Sequence, residues 1–195
     1  VANSVPSVTV KQKSVFNLFY LDSEVVVAVT AKNANIANIE LSDTDTFKGT
    51  FDEDTKELVV SYDDISSKLD KKSTLTIELE GYRNPITKAL NINAKETKPT
   101  LTMSRKSTNL SALSTEGVPL QITNKVLKRA IDWDNDQCNV SVSDASFAYV
   151  ETTHEGTNLT IQPILDADYK FANGKTSHSA KLEVQGENWL KPITV

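Results

Sequence analysis

The run Asp132-Trp133-Asp134-Asn135-Asp136 puts three carboxylates at alternate positions with an amide between the last two. Calcium is held by a cage of carboxylate and carbonyl oxygens, and such a run can supply part of one. An EF-hand loop also asks for glycine at its sixth position and a closing glutamate at its twelfth. Counted from Asp132, those places hold Gln137 and Ser143. Asp132, Asp134 and Asp136 are therefore calcium candidates, set against the ordinary alternative of an acidic, solvated loop between two strands. No other cofactor is expected.

Aromatic faces at loop ends can stack on sugar rings. Trp133, Tyr149, Tyr169, Phe171 and Trp189 are concentrated in the second half of the chain, and Trp189 falls in a turn that corresponds to the one holding Tyr82. Trp133, Trp189 and Tyr82 are the glycan candidates; capping a core is the commoner use of large aromatics. His154 and His178 stand singly among polar neighbours, without the paired spacing of a zinc helix. Cys138 has no partner cysteine and no adjacent histidine, and no Gly-x-Ser-x-Gly turn or phosphate-cradling glycine loop is present. Lys13 or Lys106 with Asn91 or Asn93 has the residue types of an intramolecular Lys–Asn cross-link, although edge lysines ordinarily serve to discourage sheet-to-sheet association. The chain is not expected to be an enzyme.

The elements that carry these residues are organised by a repeat. Pro6 to Lys32 returns 93 positions later as Pro99 to Lys125, with Val8, Val10, Val27 and Val29 facing Leu101, Met103, Leu120 and Ile122. Ile39 to Val60 overlays Val140 to Ile161, and Asn84-Pro85-Ile86-Thr87 returns as Lys191-Pro192-Ile193-Thr194. Leu75 to Gly81, LTIELEG, matches Ala180 to Gly186, AKLEVQG. The chain of 195 residues thus divides into 1–97 and 98–195, each large enough to bury its own core. The last strand of the second copy is cut short, and with no initiator Met or signal peptide the chain reads as a piece of a longer polypeptide.

Within the first copy, period-two alternation marks strands at Val8–Val10, Glu24–Ala31, Ile39–Leu41, Glu57–Tyr62, Leu75–Leu79 and Ala89–Ala94. Val15 to Tyr20 and Phe47 to Phe51 read as further extended pieces. Asp63 to Lys72, with Ile65 and Leu69 four apart, predicts one helical turn. Short strands at this spacing, with no crossover helix between them, indicate an all-β protein of two tandem sandwiches. Ala94 to Pro99 joins the copies without a glycine, which predicts a connection that resists bending. Eleven basic against fifteen acidic residues up to Thr97, and ten against eleven thereafter, argue against a nucleic-acid partner. No apolar run approaches a membrane span, and a monomer is expected.

The echo of Pro6 to Lys32, the paired LTIELEG and AKLEVQG strands, the Ser/Thr/Asn-rich loops and the near absence of cysteine together resemble the tandem immunoglobulin-like or fibronectin-III-like modules of secreted and wall-anchored bacterial proteins. The resemblance implies two immunoglobulin-like β-sandwich domains and a non-enzymatic structural or adhesive role at the cell surface, with a protein or glycan partner. A carbohydrate-binding or accessory module of an extracellular polysaccharide-acting protein is the alternative. The Cys…Trp…Cys core of antibody domains is missing, so the resemblance transfers no functional residues.

Overall fold

The structure is a computed structural model. It describes residues 4–62, 70–105, 109–111, 114, 116–143, 150–164 and 179–195. The described residues contain strands and turns and no helix, and no helix among them is long and apolar enough to cross a membrane. The chain separates into two compact units, Val1–Thr97 and Lys98–Val195.

Among its described residues unit 1 has eight strands: β1 (Ser7–Gln12), β2 (Phe16–Asn17), β3 (Glu24–Lys32), β4 (Ile36–Leu41), β5 (Phe47–Asp52), β6 (Glu57–Tyr62), β7 (Asp70–Leu79) and β8 (Ile86–Lys95). They form two four-stranded sheets, in the orders β1-β3-β6-β5 and β2-β8-β7-β4. All pairings are antiparallel except β2 with β8, which run parallel with Phe16 opposite Ala94 and Asn17 opposite Lys95.

The alternation that predicts the strands also makes the core. Val25, Val27 and Val29 leave the surface entirely, while Glu24 and Thr30 stay exposed. They meet Leu58 and Val60 of β6 and, from the other sheet, Leu75, Ile77, Leu90 and Ile92, so both sheets share one hydrophobic cluster. Full burial of each such aliphatic stabilises by about 1.5–3 kcal/mol. Phe16, Phe47 and Tyr62 close one part of it, their ring centroids 5.6–6.2 Å apart.

The structure corrects two local expectations. Asp70, Lys71 and Lys72 open β7 and pair with Asn93, Ile92 and Asn91, because that edge of the β8 ladder needs partners. The predicted helical turn therefore cannot extend to Lys72, and the rest of it, including Ile65 and Leu69, lies outside the described residues. The extended piece from Val15 to Tyr20 reduces to the two residues of β2, since Asn17 bonds forward and turns the chain: its carbonyl accepts from Tyr20 N at 3.1 Å and its Oδ1 from Phe19 N at 3.1 Å.

Unit 2 carries β9 (Leu101–Met103), β10 (Val118–Leu120), β11 (Ile122–Asn124), β12 (Arg129–Ala130), β13 (Cys138–Val142), β14 (Val150–Glu155), β15 (Asn158–Pro163), β16 (Leu182–Gly186) and β17 (Ile193–Thr194). The described sheets run β10-β15-β14, β12-β11-β9 and β13-β16-β17. Gln121 interrupts one extended segment, so that its first half pairs with β15 and its second with β9, much as β3 is shared between β6 and β1.

Register revises one repeat alignment. Val184 lies opposite Ile193 and Ile77 opposite Ile86, so Leu182 takes the place of Leu75 and Gly186 that of Leu79. The AKLEVQG match is thus two residues out of step. A slip of two leaves every side chain on its own face, which is why pattern alone does not detect it.

Candidate functional site

The Asp132–Asp136 turn is positioned by two side chains that point away from it. Ile131 and Trp133 are buried in the core of unit 2, at 1% and 4% exposure, and hold the segment between β12 and β13. The alternation sends Asp132 and Asp134 to the opposite side.

Each carboxylate is occupied by the protein's own donors. Asp132 Oδ1 accepts from Asp134 N at 3.1 Å and its Oδ2 from Asn135 Nδ2 at 2.8 Å, an Asx-type turn that the carbonyl of Asp132 reinforces by accepting from Asn135 N and Asp136 N. Asp136 receives both terminal nitrogens of Arg129 at 2.6 Å, and its Oδ2 also accepts from Asp132 N at 2.8 Å. Asp134 Oδ2 accepts from Gly156 N at 2.9 Å, and its Oδ1 faces His154 Nδ1 at 3.8 Å. Trp133 N returns a bond to Gly156 O at 2.9 Å. Gly156 has φ +55, a left-handed conformation that L side chains rarely adopt, and this lets the β14–β15 turn meet the acidic loop with both backbone polar groups.

The electrostatics follow from these contacts. The Arg129 guanidinium holds the Asp136 carboxyl below the usual carboxylate range, against the opposing effect of partial burial, and the same hydrogen bonds raise Arg129. Burial pushes the Cys138 thiol up, and the negative charge of Asp136 adds to the rise. The thiol donates to Asp136 O at 3.4 Å. A thiol so placed is a poor nucleophile, because the thiolate is the reactive form.

The turn therefore brings Asp132, Asp134 and Asp136 together in sequence and directs them at three different sets of donors. Among the described residues no three Asp, Glu, His or Cys side chains are grouped to hold a metal ion. Calcium would have to compete with Arg129, Asn135 and Gly156 for the same oxygens.

The glycan candidates separate. Trp133 lies in the core, its ring centroid 5.8 Å from that of His154 at 31°, and its Nε1 has no hydrogen-bond partner among the described residues. Trp189 packs against the same core with its indole over Gly186, where a Cβ would come within 2.5 Å of the ring. Gly186 stands where unit 1 has Leu79, so the indole fills room that a leucine side chain fills in the other unit. Tyr82 belongs to unit 1, is 47% exposed and caps a turn through its N–H to Leu79 O at 3.2 Å. Tyr149, Tyr169, Phe171, His178 and Lys106 lie outside the described residues. Lys13 pairs with Glu57 in one sheet, whereas Asn91 and Asn93 are exposed on β8 in the other.

Sequence reasoning missed Arg129, Gly156 and Asn17. Arg129 precedes Asp136 by seven residues, and the reversal of the chain at Asp132–Asp136 folds the carboxylate back onto it. Asn17 reaches Thr97, 80 residues away, with two hydrogen bonds and no local signal.

No protein-family model matches the chain, and no curated protein matches it. Among solved structures, domains 4–9 of the surface layer protein SbsC show similarity at 13% identity and a TM-score of 0.29, covering 98% of this chain. The chain spans 31% of the length of that structure.

Proposed function

We propose that each unit is an immunoglobulin-like β-sandwich, and that the chain is a non-enzymatic structural module acting as a spacer or protein-binding stalk in a secreted or cell-surface protein of bacteria. The strand orders β1-β3-β6-β5 and β2-β8-β7-β4 support the fold assignment. They set four strands against the three of a constant-type immunoglobulin domain plus a short N-terminal strand added beside the last.

The observation that carries the functional reading is the parallel β2–β8 pair. It lays a strand from the start of unit 1 beside the strand that ends it. Tension applied between the two ends of the unit pulls β2 and β8 in opposite directions along their length. It does the same to β1 against β3, which are paired over six residues. Hydrogen bonds loaded this way share the force and must fail together, whereas a strand peeled from one end loses them one at a time. A spacer under tension needs the first arrangement.

The test is single-molecule pulling on the 195-residue chain held at its two ends. The reading expects unit 1 to rupture in one cooperative step. Gradual extension at low force, with strands peeling in succession, would overturn it.

A further inference from the structure

We infer that Asn17 is a positioning residue that sets where unit 1 ends and the connection to unit 2 begins. Its side-chain amide acts as a second peptide group for the last residue of the unit. Nδ2 donates to Thr97 O at 2.8 Å, and Oδ1 accepts from Thr97 N at 2.9 Å. The flip state is fixed by the partners, because Oδ1 also accepts from Phe19 N at 3.1 Å and an exchanged amide would set donor against donor. The backbone around Asn17 is equally constrained: its N–H donates to Ser23 Oγ, and Leu18 N donates to Lys95 O at 3.1 Å. The parallel ladder that ends at Asn17–Lys95 is in effect prolonged by a side chain to Thr97.

Consequences for the connection follow directly. Thr97 is held by both of its backbone polar groups, and Thr100 O already accepts from Lys125 N of unit 2 at 2.9 Å. Two residues remain between these anchors, Lys98 and Pro99. Pro99 fixes its own φ and confines Lys98 to extended conformations. Without the Asn17 amide, Thr97 loses both of these bonds and joins the stretch between the anchors.

The other copy of the repeat has a different residue here. In the repeat, Leu110 stands at the position of Asn17 and packs against the core of unit 2. The Asn17 amide thus has no counterpart at the aligned position of unit 2. Its purpose rests on the spacer reading, since a short, constrained connection is what a spacer needs; the latch itself stands on geometry alone.

The experiment is amide hydrogen exchange and 15N relaxation on the labelled 195-residue chain, comparing wild type with Asn17→Ala and Asn17→Asp. Loss of one hydrogen bond of this kind speeds local exchange by about tenfold. Asn17→Ala is expected to release the Thr97 amide by that factor and to raise fast motion at Lys98, with Val27 and Leu58 unchanged. Asn17→Asp keeps the acceptor and loses the donor, so Thr97 N–H stays protected while Lys98 gains mobility. It also keeps the test valid should the alanine variant fail to fold. Unchanged exchange at Thr97 and unchanged motion at Lys98 in either folded variant would overturn the inference. Gradual low-force extension in the pulling measurement with Thr97 still protected would instead sink the spacer reading and leave the latch in place.

Discussion

Substituting Gly186→Ala asks directly whether Trp189 serves packing. Gly186 is buried and paired with Cys138, and a Cβ there would sit 2.5, 2.7 and 2.8 Å from three atoms of the indole. The obstacle is a rigid bicyclic ring, so the whole side chain must move off the core that it covers. Overpacking of this kind costs about 1–3 kcal/mol, and for a unit of this size each kcal/mol lowers the melting temperature by roughly 4–8 °C. Both tryptophans of the chain, Trp133 and Trp189, belong to unit 2, so tryptophan fluorescence during denaturation reports that unit alone. In a Trp189→Ala background the added methyl meets open space, and the penalty should vanish, giving a coupling of at least about 1 kcal/mol in the double-mutant cycle. Additive effects, or a Gly186→Ala variant as stable as wild type, would refute the packing assignment and reopen Trp189 as a ring held for a ligand.

Two further outcomes follow from the acidic turn. Because Arg129 lowers the Asp136 carboxyl in the folded state, that contribution is complete above the unfolded value of about 3.9 and is lost as pH falls through the lower folded value. Asp136→Asn should therefore weaken unit 2 near neutral pH and lose less additional stability on acidification to about pH 2.5; parallel acid curves for the two proteins would contradict this. Millimolar calcium should leave the melting temperature of unit 2 unchanged, since its candidate ligands accept bonds from Arg129, Asn135 and Gly156. A calcium-dependent rise would show that the ion displaces them.

What the sequence makes legible is the face of each strand. Val25, Val27 and Val29 alternate with more exposed neighbours, and all three are fully buried because a pleated strand has a period of two. Ile131 and Trp133 carry the same signal, but the surrounding aspartates make the stretch look like a solvated loop. Pairings between distant residues are not legible. Nothing near Asn17 names Thr97, and nothing in the acidic run names Gly156, because those contacts depend on sheet closure. The two-residue slip of β16 against β7 is invisible for the converse reason: it preserves every face.

A unit that resists tension between its ends through β2–β8 and β1–β3 should be strong in one pulling direction and weak in another. Unit 1 has no cysteine, so attachment points can be introduced there as single cysteines, with Cys138 of unit 2 replaced by serine. One pair, at Ser4 and Thr97, loads β1–β3 and β2–β8 along their length. The other, at Glu53 in the β5–β6 turn and at Ser4, peels the edge of the first sheet. The first pair should give a clearly higher rupture force; equal forces, or a higher force for the second, would show that unit 1 is not built to bear load along β2–β8.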